Sequence, residues 1–274
     1  VKHIIAVGDR GNMMEYQYID LNDKNIVRLD YASTSKGNQI KYYDNLNHRY
    51  IKLPFYYQGV WWKDYMVENL STVLAEMLDT LDVKIVRQNI CMTSENKYAV
   101  VSQDFCADGS EWISFRRFCN LPIYKDKGRA YKVYTELLNA YKSICDTDIE
   151  NYLIVMIVMD FLLLNEDRHF NNFGILSYNG EFATAPLFDF GLGLFEHDMR
   201  YNGKSLTEAL ALTECKPFSS DASEAINMLV NIGKSSVIKK ITKDIEIPDN
   251  ALFPSELAYE YFKYAVNYLC KAVK

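Results

Sequence analysis

Three side chains in one short stretch could together do metal-assisted phosphate chemistry: Asp167, Asn172 and Asp189. The first two frame D-R-H-F-N-N (Asp167–Asn172). The third opens D-F-G (Asp189–Gly191), after two β-like runs that turn at Asn179-Gly180. Moving a phosphoryl group needs an acidic group beside the attacking hydroxyl, and oxygen ligands that hold magnesium against the phosphates. A lone D-x-x-x-x-N would read first as the end of a helix and a turn. Short motifs match by accident, but these pieces in this order and spacing favour the chemistry.

These groups need elements to position them. The apolar run Leu153–Leu164, broken only by Asp160, delivers the chain to Asn165. It is shorter than the roughly 20 residues that span a bilayer, so it reads as a buried helix. Thr147-x-x-Glu150 forms a capping box that opens this helix over Asp148–Leu164. Upstream, His3–Val7, Tyr16–Leu21, Ile26–Asp30, Ile40–Tyr43 and Arg49–Leu53 read as short strands parted by polar turns. Strand alternation puts Ile51 and Leu53 on one face and Lys52 on the other. Lys52 could reach a phosphate, or deter sheet pairing as an edge-strand lysine. Trp61–Asp82 carries helical periodicity, with Glu68 flanking the apolar stripe and Glu76 nearly opposite it. Val83–Met92 and Tyr98–Phe105 read as a further strand pair. Helices are expected at Arg129–Cys145, Ser205–Thr213, Ala222–Val230 and Ser255–Val273. A β-rich first third followed by a helical remainder is an α+β, two-lobe pattern, which we divide into residues 1–105 and 106–274.

The strings D-R-H-F-N-N and D-F-G resemble the catalytic and metal motifs of HipA-like serine/threonine kinases, especially a compact CtkA-type bacterial subgroup. D-R-H-x-x-N also resembles phosphoinositide kinases of the same distant kinase-like fold. The resemblance covers roughly Asp30 to Phe195. It implies a two-lobe protein-kinase-like fold with ATP and Mg2+, Asp167 as catalytic base, and Asn172 and Asp189 as metal ligands. His169 would steady the loop or the transferring phosphate, unless it only hydrogen-bonds within the loop. Arg168 would bind a phosphorylated residue or pair with an acid such as Glu166. Thr34-Ser35-Lys36-Gly37-Asn38-Gln39 resembles the S-x-x-G-x-Q phosphate loop, which implies nucleotide contacts at Thr34, Ser35, Gly37 and Gln39 and autophosphorylation at Thr34 or Ser35, with Ser33 competing for that assignment. Ile51-Lys52-Leu53-Pro54 matches the nucleotide-lysine strand, with Glu68 as the partner of Lys52. Backbone groups of Ser102, Gln103, Asp104 and Phe105 would meet the adenine edge.

Composition narrows the function further. The chain has 274 residues, net charge −6, 49% hydrophobic and 24% charged residues, with 21 Tyr and 14 Phe. That is long enough for a sizeable core and too aromatic for disorder. No basic block suggests nucleic acid as a direct partner. No signal-peptide pattern or membrane span is evident. Six scattered cysteines without C-x-x-C suit reduced thiols. The expectation is a cytoplasmic protein kinase, with secretion or translocation into a host cell left open. An unknown protein substrate and an antitoxin-type or host-protein partner would go with it. A phosphoinositide-like lipid kinase and a catalytically weak toxin or pseudokinase module are the alternatives. Against the lipid kinase, Leu192–Thr207 holds only Arg200 and Lys204 as cations.

Overall fold

The computed structural model of the protein describes residues 2–4, 15–29, 39–57, 59–119, 129–142, 149–196, 198–218 and 221–274. Thr34, Ser35 and Gly37 of the expected phosphate loop lie outside them, as does Thr147 of the expected capping box.

Among the described residues, the first part of the chain is a seven-stranded sheet with one helix on it. Its strands are β1 (Lys2–Ile4), β2 (Glu15–Ile19), β3 (Ile26–Arg28), β4 (Lys41–Asp44) and β5 (Arg49–Lys52). A small hairpin of β6 (Tyr56–Tyr57) and β7 (Val60–Trp61) leads to helix α1 (Asp64–Met77), and β8 (Gln88–Thr93) and β9 (Tyr98–Gln103) complete the sheet. The order is β1-β2-β8-β9-β5-β4-β3, antiparallel except where β2 runs parallel to β8. Lys52 therefore sits on an inner strand, opposite Lys41 on one side and Val100 on the other. Ile51 and Leu53 are buried beneath it, as the alternation requires.

Helix α1 is shorter than its periodicity suggests at both ends. Val60 and Trp61 pair with Tyr57 and Tyr56, so the chain is still extended before Asp64. After Met77 the amide of Asp79 donates to Ile241 O, and Leu81 and Asp82 take positive φ, which turns the chain out of the helix. The expected strand at Val83–Met92 also begins later, at Gln88. Residues just before it bind elsewhere: Val86 N donates to Leu187 O and Leu187 N to Lys84 O.

The second part begins with β10 (Glu111–Ser114), α2 (Phe115–Cys119), α3 (Ala130–Lys142) and α4 (Glu150–Leu162). Then come the hairpin β11 (Gly174–Tyr178) and β12 (Glu181–Thr184), with β10 beside β11. Helices α5 (Leu206–Leu210), α6 (Ala222–Asn231), α7 (Ser235–Ile241) and α8 (Glu256–Ala272) close the fold. Leu153–Met159 of α4 is buried on every side, packed by α6, α7 and α8, which explains a run with no polar face. Ile149 occupies the N-cap of α4 with no side-chain bond, and Glu150 accepts from Tyr134 (3.1 Å) and Lys234 (2.7 Å). Among the described residues no helix is long and apolar enough to cross a membrane.

Candidate active site

Glu68 is fixed by the way α1 seats on β8. Thr72, one helical turn on, accepts from Gln88 N (2.7 Å), and Asn69 donates to Gln88 O (2.9 Å). The Gln88 side chain in turn donates to Glu68 Oε2. The other oxygen of Glu68 lies 2.5 Å from Lys52 Nζ, and Lys52 also reaches Asp189 Oδ1 at 2.8 Å. Phe190 N donates to Glu68 Oε2 at 3.0 Å, so the helix glutamate touches both the lysine and the D-F-G. Glu76 is exposed and pairs with Arg87, as expected of the far face of α1.

Burial alone would push the Lys52 amine down, but Asp189, Glu68 and Asp64 outweigh it and hold the amine above its usual range. Burial would likewise raise the Asp189 carboxyl. Lys52 and Lys41 hold it well below the usual carboxylate range. Asp189 sits at φ 62°, an uncommon backbone for a residue other than glycine. Gly191 faces the Glu68 carboxylate closely: a Cβ there would stand 3.0 Å from Glu68 Oε1, and the glutamate side chain would have to give.

Lys52, Glu68 and Asp189 line a cavity of about 490 Å3. Ser102, Gln103, Asp104 and Phe105 line it too. The Asp104 amide, however, already donates to His48 O (2.9 Å), and its carboxylate accepts from Tyr43 and from Cys106 N. Gln103 donates its side-chain amide to the carbonyls of Asn47 and His48. Phe188 closes the apolar wall, its ring 5.5 Å from Phe105 and 5.7 Å from Trp112. Gln39 does not line the cavity. Its amide donates to Leu53 O (2.7 Å) and to Asp64 Oδ2 (2.5 Å), so it ties the end of the expected loop to α1.

Asp167 lies on the loop after α4, half-buried. Its Oδ1 is 3.1 Å from Lys216 Nζ and its Oδ2 is 3.6 Å from His169 Nε2. His169 Nδ1 accepts from Asn171 N (3.2 Å), so in the neutral ring the proton sits on Nε2, facing Asp167. Asn172 donates Nδ2 to Asp167 O (2.9 Å), which leaves its amide oxygen as the donor for a cation. Among the described residues no three His, Cys, Asp or Glu side chains gather as a metal cage.

Arg168 pairs with an acid, as one expectation had it, but the acid is Asp160 and not Glu166. The arginine is wholly buried, and its Nη1 donates to Asn172 O (2.8 Å) and Phe188 O (2.6 Å). One nitrogen thereby links the segment of Asn172 to that of Asp189. Glu166 instead accepts from Tyr201 (2.7 Å), Arg200 (3.3 Å) and Glu214 N (2.7 Å). A charge inside the apolar run was the available signal for Asp160, since a buried carboxylate demands a cation. Lys41, which lines the cavity beside Lys52, could have been found from strand alternation. Nothing local marks Lys216, Phe188 or Trp112.

Comparison with known proteins gives the fold a likeness. No family model matches the chain. Over 128 residues it is 30% identical to the serine/threonine-protein kinase CtkA of Helicobacter pylori strain J99, a stretch covering 45% of this chain and 39% of that protein. The crystal structure of a Helicobacter pylori proinflammatory kinase, CtkA, matches with a TM-score of 0.60 at 20% identity, over 93% of this chain and 94% of that one. HipA of Shewanella oneidensis MR-1, from a complex with HipB and operator DNA, matches with a TM-score of 0.46 at 11% identity, over 92% and 72%. The chain thus has the α+β, kinase-like fold of CtkA: a curled β-sheet lobe and a helical lobe.

Proposed function

We propose that the chain is an ATP- and magnesium-dependent protein serine/threonine kinase, with a nucleotide-holding lobe over residues 1–105 and a catalytic lobe over 106–274. Lys52 carries the reading: its amine is ion-paired at once to Glu68 on α1 and to Asp189 of the D-F-G, on the wall of a cavity of about 490 Å3. A lysine poised between two lobes in this way suits the α- and β-phosphates of a nucleotide, and Lys41 adds a second cation beside it. Phe188, Phe105, Trp112 and Val86 offer apolar faces to a base.

Two hard oxygens, from Asn172 and from an Asp189 carboxylate kept ionised by Lys52, fit magnesium, which keeps waters and phosphate oxygens for its other positions. When bound, the ion neutralises charge on the phosphates. Asp167 orients the acceptor hydroxyl and takes its proton. His169 braces that carboxylate, and Arg168 keeps the two metal-side segments in register. Positioning and fixed charge supply the acceleration. Phosphorylation of Thr34 or Ser35, between β3 and β4 in the sequence, belongs to the same proposal.

A protein acceptor is favoured over a lipid by the likeness to CtkA, named a serine/threonine-protein kinase. It is also favoured because Arg200, one of two cations in Leu192–Thr207, is paired with Glu166 and Asp198. An acceptor or partner in the cytoplasm or in a host cell, or an antitoxin-type protein, would suit this reading. A thermal-shift titration with Mg-ATP, followed by transfer to dephosphorylated casein and to phosphoinositide vesicles, tests it. A magnesium-dependent rise in Tm with label on casein is the expected result. Label on lipid alone, or no shift, would overturn it.

A further inference from the structure

Lys216 does not line the cavity that Lys41 and Lys52 line, yet its amine is 3.1 Å from the carboxylate assigned as base. Its backbone is fixed from three sides. Residue 216 forms a parallel bridge with Asp167, Glu214 N donates to Glu166 Oε1 (2.7 Å), and Arg129 Nε donates to Pro217 O (2.9 Å). The side chain itself is 50% exposed and that of Asp167 27%, so both can be approached from solvent. An exposed lysine making a chance surface pair would need no such anchoring of its backbone to the loop it touches.

Resting on the kinase reading, we infer that Lys216 is a further catalytic residue, the cation that meets the phosphoryl group in flight. The acceptor hydroxyl must touch Asp167 to surrender its proton and must face the γ-phosphorus to attack it. A cation beside Asp167 Oδ1 therefore stands at the equatorial phosphoryl oxygens, where charge accumulates in a loose transition state. The bond from phosphorus to the β,γ-bridging oxygen breaks and its electron pair leaves with ADP. The acceptor oxygen bonds to phosphorus, and its proton goes to Asp167. Lys216 stays protonated throughout and exchanges the carboxylate for a phosphoryl oxygen. Lys52 and Lys41, on the sheet, are left to the ground-state nucleotide.

Lys216→Met and Lys216→Arg test this in single-turnover transfer from radiolabelled ATP to the chain itself and to dephosphorylated casein, run as a pH series beside Mg-ADP titrations. The expected result is a plateau rate about 100-fold lower in Lys216→Met. Mg-ADP affinity should be unchanged, and Lys216→Arg should recover most of the loss. An unchanged plateau overturns the inference, as does a shifted acid limb at full plateau, which would make Lys216 only a neutraliser of Asp167. An equal loss in both variants overturns it too, because charge would then not be what matters. Wild type that binds Mg-ADP but transfers nothing sinks the kinase reading itself, and the role of Lys216 with it.

Discussion

Arg168 grips Asp160 with two nitrogens, Nε 3.0 Å from Oδ2 and Nη2 3.0 Å from Oδ1, in a pair that links the end of α4 to the loop carrying Asp167. Its third nitrogen holds the carbonyls of Asn172 and Phe188, and its guanidinium lies 4.6 Å over the Phe190 ring. Arg168→Ala leaves a buried carboxylate without its cation and should cost about 3–5 kcal/mol of stability. Arg168→Lys cannot reproduce the planar fork and should recover only a small part of that. Urea unfolding midpoints measure both; a lysine variant as stable as wild type would contradict the assignment.

Two glycines after the D-F-G should separate folding from binding. A Cβ on Gly193 would stand 2.3 Å from the backbone oxygen of Leu163, which cannot move aside without shifting the end of α4. Gly193→Ala should therefore lower stability by about 1–3 kcal/mol or more. A Cβ on Gly191 meets only the Glu68 side chain, at 3.0 Å, and pushes it away from Lys52. Gly191→Ala should fold and melt near wild type while binding Mg-ADP several-fold more weakly. Calorimetric titration beside thermal melting checks this, and equal affinities would refute the coupling.

Asp64 gives the fold a pH dependence of its own. Burial raises its carboxyl to about 7, against the pull of Lys52 and the amide of Phe55. Between the ordinary aspartate value and about 7 the folded chain holds a proton that the unfolded chain has lost. Stability from this group is thus complete at low pH, falls as pH rises across that window, and is flat above it. Asp64→Asn does not titrate and should show a shallower decline between pH 5 and pH 8. Urea unfolding at both values measures it; parallel declines in the two proteins would count against the assignment.

Much of this fold and site is written in local patterns. Alternation placed Lys52 against the buried Ile51 and Leu53, and the helical stripe of α1 set Glu68 toward the sheet and Glu76 toward solvent. The run around Leu153–Met159 read as a buried helix and is one. What stayed hidden depends on contacts between distant segments. The partner of Arg168 lay in the preceding helix, and Lys216 reaches Asp167 only because the chain returns through the bridge at residue 216. The bond from Gln39 to Asp64 across the fold has no trace in the motif that holds Gln39. Helix ends depart from the periodicity where tertiary bonds intervene, as when Asp79 N turns to Ile241 O at the close of α1.

In the proposed reaction Asp167 is the base, in a magnesium-nucleotide site held by Lys52, Asn172 and Asp189. The direct measurement is single-turnover phosphoryl transfer from radiolabelled ATP by wild type and Asp167→Asn, with Mg-ATP affinity determined on the same preparations. Transfer should fall by about 100-fold or more in the variant while affinity is unchanged. Equal transfer by the two proteins would contradict the account.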